Sequence, residues 1–276
     1  MFAKTRIFAR PGLIAAGIVL GLTTLLPTQA EAHRRWLKPT STVLAGDEAM
    51  VSVDAAASNE LFVFDHRPLG LDDLVVIGPD GQPVSAKVLG TGDYRSVFDV
   101  PLQEQGTYRI ALASNGMMGF YELNGERRRW FGTEAQLSEI PSDATNVNVS
   151  HNTSRVETFV TLGAPTEEAL SATGSGLEMV PVTHPNDIVA GEPAVMRFML
   201  DGEPVGGLEI EFVEGDTRYR DESGIQMLTT DADGQVTLEA TEAGMYYLEA
   251  NHSVDGTEGS YGKRDSYTAV LEFLPI

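Results

Sequence analysis

The sequence predicts an all-β protein: two immunoglobulin-like β-sandwich domains, with a short partly helical insertion in the first. Three observations predict it. Short apolar or alternating runs recur at a spacing of about 8–12 residues, with no sustained helical period. Glycine (28) and proline (14) are frequent enough to supply the turns between them. Cysteine is absent and apolar residues make up 42% of 276 positions, so packed cores must stand without disulfides.

In chain order, residues 1–32 read as a cleavable export signal. Lys4, Arg6 and Arg10 form a positive head, and Leu13 to Leu26 is a mostly apolar run of 14 residues. A membrane span needs about 20 residues, so this run is too short. The leader has no Arg-Arg pair, which favours export by the general unfolded route. No other long apolar run follows, so the mature chain is expected to be periplasmic or secreted and not transmembrane. Residues 33–172 form the expected first sandwich. Met50-Val51-Ser52-Val53-Asp54 alternates, and Glu60-Leu61-Phe62-Val63-Phe64-Asp65 reads as a buried strand. Leu74-Val75-Val76-Ile77 runs into the Pro79-Asp80-Gly81 turn, and strands follow near 94–100 and 106–112. The stretch 115–152 is the expected irregular insertion, with a short helix near 133–140 stopped by Pro141. It also holds the concentrated basic patch Arg127-Arg128-Arg129, beside Trp130, which reads either as a solvated loop or as an anion or partner contact. Residues 156–163 return as a strand, and 164–176 is small and polar like a linker. Residues 173–276 form the second domain, with about seven short strands in about 100 residues, the arithmetic of an immunoglobulin-like sandwich.

Charge narrows the partners. The chain carries 19 Lys plus Arg against 40 Asp plus Glu, a net charge of −21. Removing the leader takes away Lys4, Arg6, Arg10 and Glu31, leaving 16 against 39, a net −23. Such a field repels nucleic acid and anionic membrane and concentrates cations. Nucleic acid is therefore excluded as a partner.

Candidate chemistry rests on histidine, because thiolates are absent. Ala30-Glu31-Ala32 and Thr28-Gln29-Ala30 both fit the small-x-small rule of signal peptidase. Cleavage after Ala32 makes His33 the first residue, whose amine and ring chelate one ion as the start of a histidine brace. Cleavage after Ala30 makes histidine third, so that amine, two amides and imidazole form a square-planar nitrogen set. Both sets suit Cu(II) and Ni(II). His33, His66, His151 and His252 are the metal-ligand candidates, with His33 and His66 the leading pair. Asp65 neighbours His66 but points to the other face if the segment is a strand. His151 is placed in a loop and His252 at the end of the strand carrying Tyr246 and Tyr247. His184, before Pro185, is extended or in a turn near the seam of the domains. Glu157 offers an oxygen ligand and Met117-Met118 a thioether pair. The Asp231-Ala232-Asp233-Gly234 segment begins like a calcium loop, but Gln235 and Val236 break that pattern and leave a β-turn. No nucleophile elbow, P-loop or His-Glu-x-x-His stands in the chain, and no carboxylate pair is singled out, so no catalytic residue is expected.

Ala32-His33-Arg34-Arg35-Trp36-Leu37-Lys38-Pro39 and Phe62-Val63-Phe64-Asp65-His66-Arg67-Pro68-Leu69 carry a family resemblance. So do Arg155 to Val160, Leu177 to Pro181 with His184-Pro185, and the turns at 201–207 and 230–234. On these the chain resembles the exported domain-of-unknown-function 4198 family, related to the periplasmic NikM-like component of nickel and cobalt uptake. The resemblance implies a periplasmic two-sandwich protein that handles a divalent transition metal ion (nickel or cobalt by resemblance, copper by amino-terminal geometry). The preferred reading is a binding protein that hands the ion or its small chelate to an inner- or outer-membrane transport component. A non-catalytic module binding protein or glycan, and a copper oxidase using a histidine brace, are the alternatives from other classes.

Overall fold

Tyrosine, valine and phenylalanine alternate with polar residues through the second half of the chain. The computed structural model turns that alternation into a sheet with a separate core on each face. The structure describes residues 33–215, 224–257 and 260–276; the expected export signal lies outside the described residues.

Three sheets are present among these residues. A five-stranded sheet orders β1 (Arg34–Pro39), β3 (Ala49–Ser58), β7 (Ser96–Leu102) and β6 (Lys87–Thr91), with the short β4 (Arg67–Pro68) also on β3. A nine-stranded sheet orders β15 (Gln226–Thr229), β14 (Glu209–Glu214), β17 (Gly244–Val254), β18 (Gly262–Phe273), β10 (Thr145–Leu162), β8 (Gly106–Leu123) and β5 (Leu74–Ile77). Onto it β2 (Val43–Leu44) adds beside β10, and β9 (Glu126–Gly132) beside β8. A four-stranded sheet contains β11 (Leu177–Pro181), β12 (Ala194–Leu200), β13 (Glu203–Pro204) and β16 (Gln235–Leu238).

The nine-stranded sheet takes strands from both halves of the chain. They meet where β10 lies parallel to β18, with Ser150 opposite Gly262 through Thr158 opposite Val270. Successive side chains of a strand point to opposite faces. Accordingly, Val156 and Val160 of β10 enter a core with Val53, Phe98 and Ile110, while Phe159 between them enters a second core with Phe198, Phe212 and Tyr267. The sheet is thus apolar on both faces at its centre, and the two cores stand on either side of it.

Three expectations change. Residues 59–66 are a loop and not a strand, because Val63 N donates to the Glu60 carbonyl and Phe62 has φ 61. The stretch 115–152 is mainly strand: β8 and β9 form a hairpin turned at Asn124-Gly125, both with positive φ. Its helical part is only the 3-10 segment Glu134–Glu139. The stretch 164–176 is mostly exposed but tied to the fold at its middle: Ala169 and Leu170 are buried, and Thr107 and Thr166 exchange two hydrogen bonds, each backbone N–H donating to the other's hydroxyl, at 3.1 and 3.0 Å.

Candidate functional site

Register decides where the leading histidines meet. β1 and β4 both run antiparallel to β3, one on each side, with Arg34 opposite Ser58 and Arg67 opposite Ala57. His33 directly precedes β1 and His66 directly precedes β4, so both arrive at the C-terminal end of β3. Their rings stack, with centroids 3.6 Å apart and planes 8° from parallel. His33 is exposed and His66 half-buried.

Both arms of this pair are anchored. On β1, Arg34 donates through Nε and Nη2 to Glu211 Oε1 at 3.1 and 2.7 Å. Arg35 donates to Ser154 Oγ at 2.8 Å and Ser266 Oγ at 3.0 Å, tying β1 to β10 and β18. Trp36 is fully buried, and its indole N–H donates to Ser58 Oγ at 2.9 Å. On the other arm, the 59–66 loop closes over that indole. Leu61 packs beside it, Phe62 meets it edge-on at 5.4 Å, and Phe64 lies tilted at 5.5 Å. A phenylalanine with positive φ is strained by roughly 1–2 kcal/mol, and the surroundings hold it there. A Cβ at Gly215 would stand 2.7 Å from the Phe62 ring, so only glycine lets the loop settle. The Asp65 carboxylate accepts from Asn59 N at 2.9 Å and Glu60 N at 3.3 Å, clamping the loop one residue before His66. Lys38 and Arg95 lie over the Phe62 and Phe64 rings at 5.0 and 4.5 Å.

The other candidates lie elsewhere. His252 Nδ1 stands 3.4 Å from Asp265 Oδ2, and Thr153 Oγ1 donates to Asp265 Oδ1 at 2.6 Å. Ser154 and Ser266, which Arg35 holds, alternate with Thr153 and Asp265, so His252 is on the opposite face of the central sheet. His151, two residues before Thr153, shares that opposite face and meets the Tyr261 ring at 5.9 Å. His184 is held by the protein: Nδ1 accepts from Asn186 N at 3.1 Å, and Nε2 lies 2.9 Å from Thr107 Oγ1 and 3.2 Å from the Thr166 carbonyl. Burial pushes its pKa down, favouring the neutral ring. Glu157 is fully buried, accepts from Tyr267 at 2.6 Å, and leaves Oε2 without a hydrogen bond, 3.7 Å from Arg155. Burial raises its carboxyl pKa. Met117 is buried against β10, opposite His151. The 231–234 segment is a turn in which Asp231 Oδ1 accepts from Asp233 N and Gln235 N at 2.9 and 2.8 Å.

Among the described residues no group of three or more His, Cys, Asp or Glu side chains is placed to hold a metal ion. The side chains therefore supply two imidazoles and no third donor of those types. Their roles in shaping the site were not legible for Trp36, Phe62 and Gly215. The positive φ of Phe62 has no signature in residue type, and Gly215 lies about 150 residues away in sequence.

The profile of a domain of unknown function, DUF4198, matches residues 30–254, and the chain belongs to that family. No curated protein sequence matches it. Among solved structures, the D0–D1 domains of intimin align at 12% identity over 86% of this chain and 97% of that one, with a TM-score of 0.22. The D00–D0 domains of intimin align at 9% identity over 87% and 100%, with a TM-score of 0.20. A trypsin-activated α2-macroglobulin of Escherichia coli aligns at 13% identity over 87% of this chain and 23% of that one, with a TM-score of 0.21.

Proposed function

We propose that this protein binds a divalent transition metal ion through His33 and His66 and acts as an exported carrier that passes it to a membrane transport component. The observation that carries this reading is the stacked pair at 3.6 Å, formed by residues 33 positions apart in sequence. Imidazole nitrogen suits copper, nickel and cobalt, and the absence of cysteine leaves no competing thiolate site. Stacked rings oppose their faces, so ligation turns at least one ring about χ2, a broad sp³–sp² torsion with a low barrier. A net charge of −21 raises the local concentration of cations. Nickel and cobalt come from the family resemblance, copper from the nitrogen donors.

Titration calorimetry with Cu(II), Ni(II) and Co(II) tests the reading. One ion per chain should bind below about 1 μM, equivalent to about −8 kcal/mol, and His33→Ala or His66→Ala should abolish it while His252→Ala does not. Weak, non-stoichiometric binding by the wild-type chain would sink the proposal.

A second reading, a module that docks on another macromolecule, has one observation in its favour. Arg127 and Arg129 lie over Phe120 at 4.2 and 5.2 Å, Arg129 lies 5.7 Å from Phe131, and Phe131 is 62% exposed. Pull-down from an envelope fraction, lost in an Arg127→Ala, Arg129→Ala double variant that keeps its metal titration, would support it.

A further inference from the structure

The stacked pair discriminates between the two amino termini that the leader permits. Resting on the metal reading, we infer that the mature chain begins at His33 and that its α-amine is the third nitrogen of the site.

Cleavage after Ala30 would leave Glu31-Ala32-His33. Amine, two deprotonated amides and the His33 ring then fill all four positions of a square plane, and a second histidine has no place in that set. Cleavage after Ala32 gives a different count. The His33 amine and ring occupy two positions, and a third nitrogen must come from elsewhere in the fold. The fold holds a histidine there: the His66 ring stacks on that of His33 with centroids 3.6 Å apart, on a loop clamped by Asp65 and closed over Trp36. No third side chain of the usual ligand types joins the pair among the described residues. The β1–β3 ladder starts with Arg34 opposite Ser58, so His33 stands just outside the paired strand. Three nitrogens without a carboxylate or thiolate favour Cu(II) over Ni(II) and Co(II) in the Irving–Williams order. One planar position stays open, where a ligand of the receiving protein can enter before the ion leaves. Metal competence is then created by processing, because the uncleaved precursor has an amide nitrogen where the mature chain has an amine.

The test begins with the full precursor, exported and purified from the periplasm. Its intact mass should correspond to a chain starting at His33. Cu(II) titrations then compare this chain with one retaining Glu31-Ala32, each with and without His66→Ala. In the His33 chain, His66→Ala should weaken Cu(II) binding by more than about a hundredfold, beyond what loss of an outer-sphere partner alone costs. Acetylation of the His33 amine, which leaves every side chain in place, should do the same. In the extended chain His66→Ala should change little. Thermal melts of each variant separate lost ligation from lost folding. Binding that is indifferent to acetylation but lost in His66→Ala overturns the inference while leaving the metal reading intact; a mass starting at Glu31 overturns the inference and takes His66 out of the site with it. No stoichiometric binding by any chain removes both.

Discussion

Two pairs of histidines on opposite sides of the central sheet make the instructive contrast. His184 spends both ring nitrogens on the protein itself, on Thr107, Thr166 and Asn186, and His252 turns Nδ1 toward Asp265. His33 and His66 stack on each other at the open end of β3, with one ring exposed and the other half-buried. His66, His184 and His252 are all half-buried, so what divides them is whether the fold sets a hydrogen-bond partner beside the ring. The difference between these residues is therefore one of position and not of residue type. It separates histidines hydrogen-bonded to the fold from two that stack on each other.

The sharpest way to break the contrast is to remove the support beneath the rim. Trp36→Ala should cost about 3–5 kcal/mol, as aromatic truncation in a core does, and the 59–66 loop should lose its seat. Urea denaturation reads the first effect, and loss of metal binding under conditions where the variant stays folded reads the second. An unchanged midpoint would mean that the loop is held by other contacts.

The next effect belongs to the sheet's interior. Burial raises the pKa of Glu157 above its ordinary value of 4.5, so the folded state retains its proton more tightly than the unfolded one. Its contribution to stability is complete below about pH 4.5 and is lost as pH rises through the folded value. Glu157→Gln carries no such charge, so the stability of this variant relative to wild type should increase between pH 4 and pH 8. Denaturation curves at the two pH values test this, and a constant difference would show that Arg155 and Arg109 already balance the carboxylate.

Smaller shifts come from the loop clamp and from His184. Asp65→Ala removes two hydrogen bonds at an exposed site and should cost about 1 kcal/mol. Metal affinity should fall with it, since His66 then samples more positions, and equal affinity in both proteins would show that the clamp does not orient the ring. His184 has its pKa lowered from 6.5, so its stabilising effect is present above about pH 6.5 and fades as pH falls toward the folded value. His184→Asn should therefore flatten the stability profile between pH 7.5 and pH 5. A profile as steep as wild type would assign that dependence to another group.

Much of the fold was legible because local rules govern it. Alternation along 94–100 and 194–200 marks strands, and Asp231 to Gly234 spells its own turn. The loop at 59–66 was not legible. Its apolar aromatic run satisfies the composition of a strand, and only the space beside Gly215 and the indole of Trp36 makes the left-handed Phe62 tolerable. The β8–β9 hairpin reads as irregular for a related reason, since its glycines and arginines mask a pairing that becomes evident only beside β10.

The sequence by itself determined the all-β class, the absence of disulfides, the acidic field and the short list of histidines, because composition and period-two patterning are properties of neighbours along the chain. Which two of those histidines meet was decided only by tertiary structure. Meeting requires β1 and β4 to flank β3 in a particular register, and register is set by which side chains each face must bury, across residues far apart in sequence.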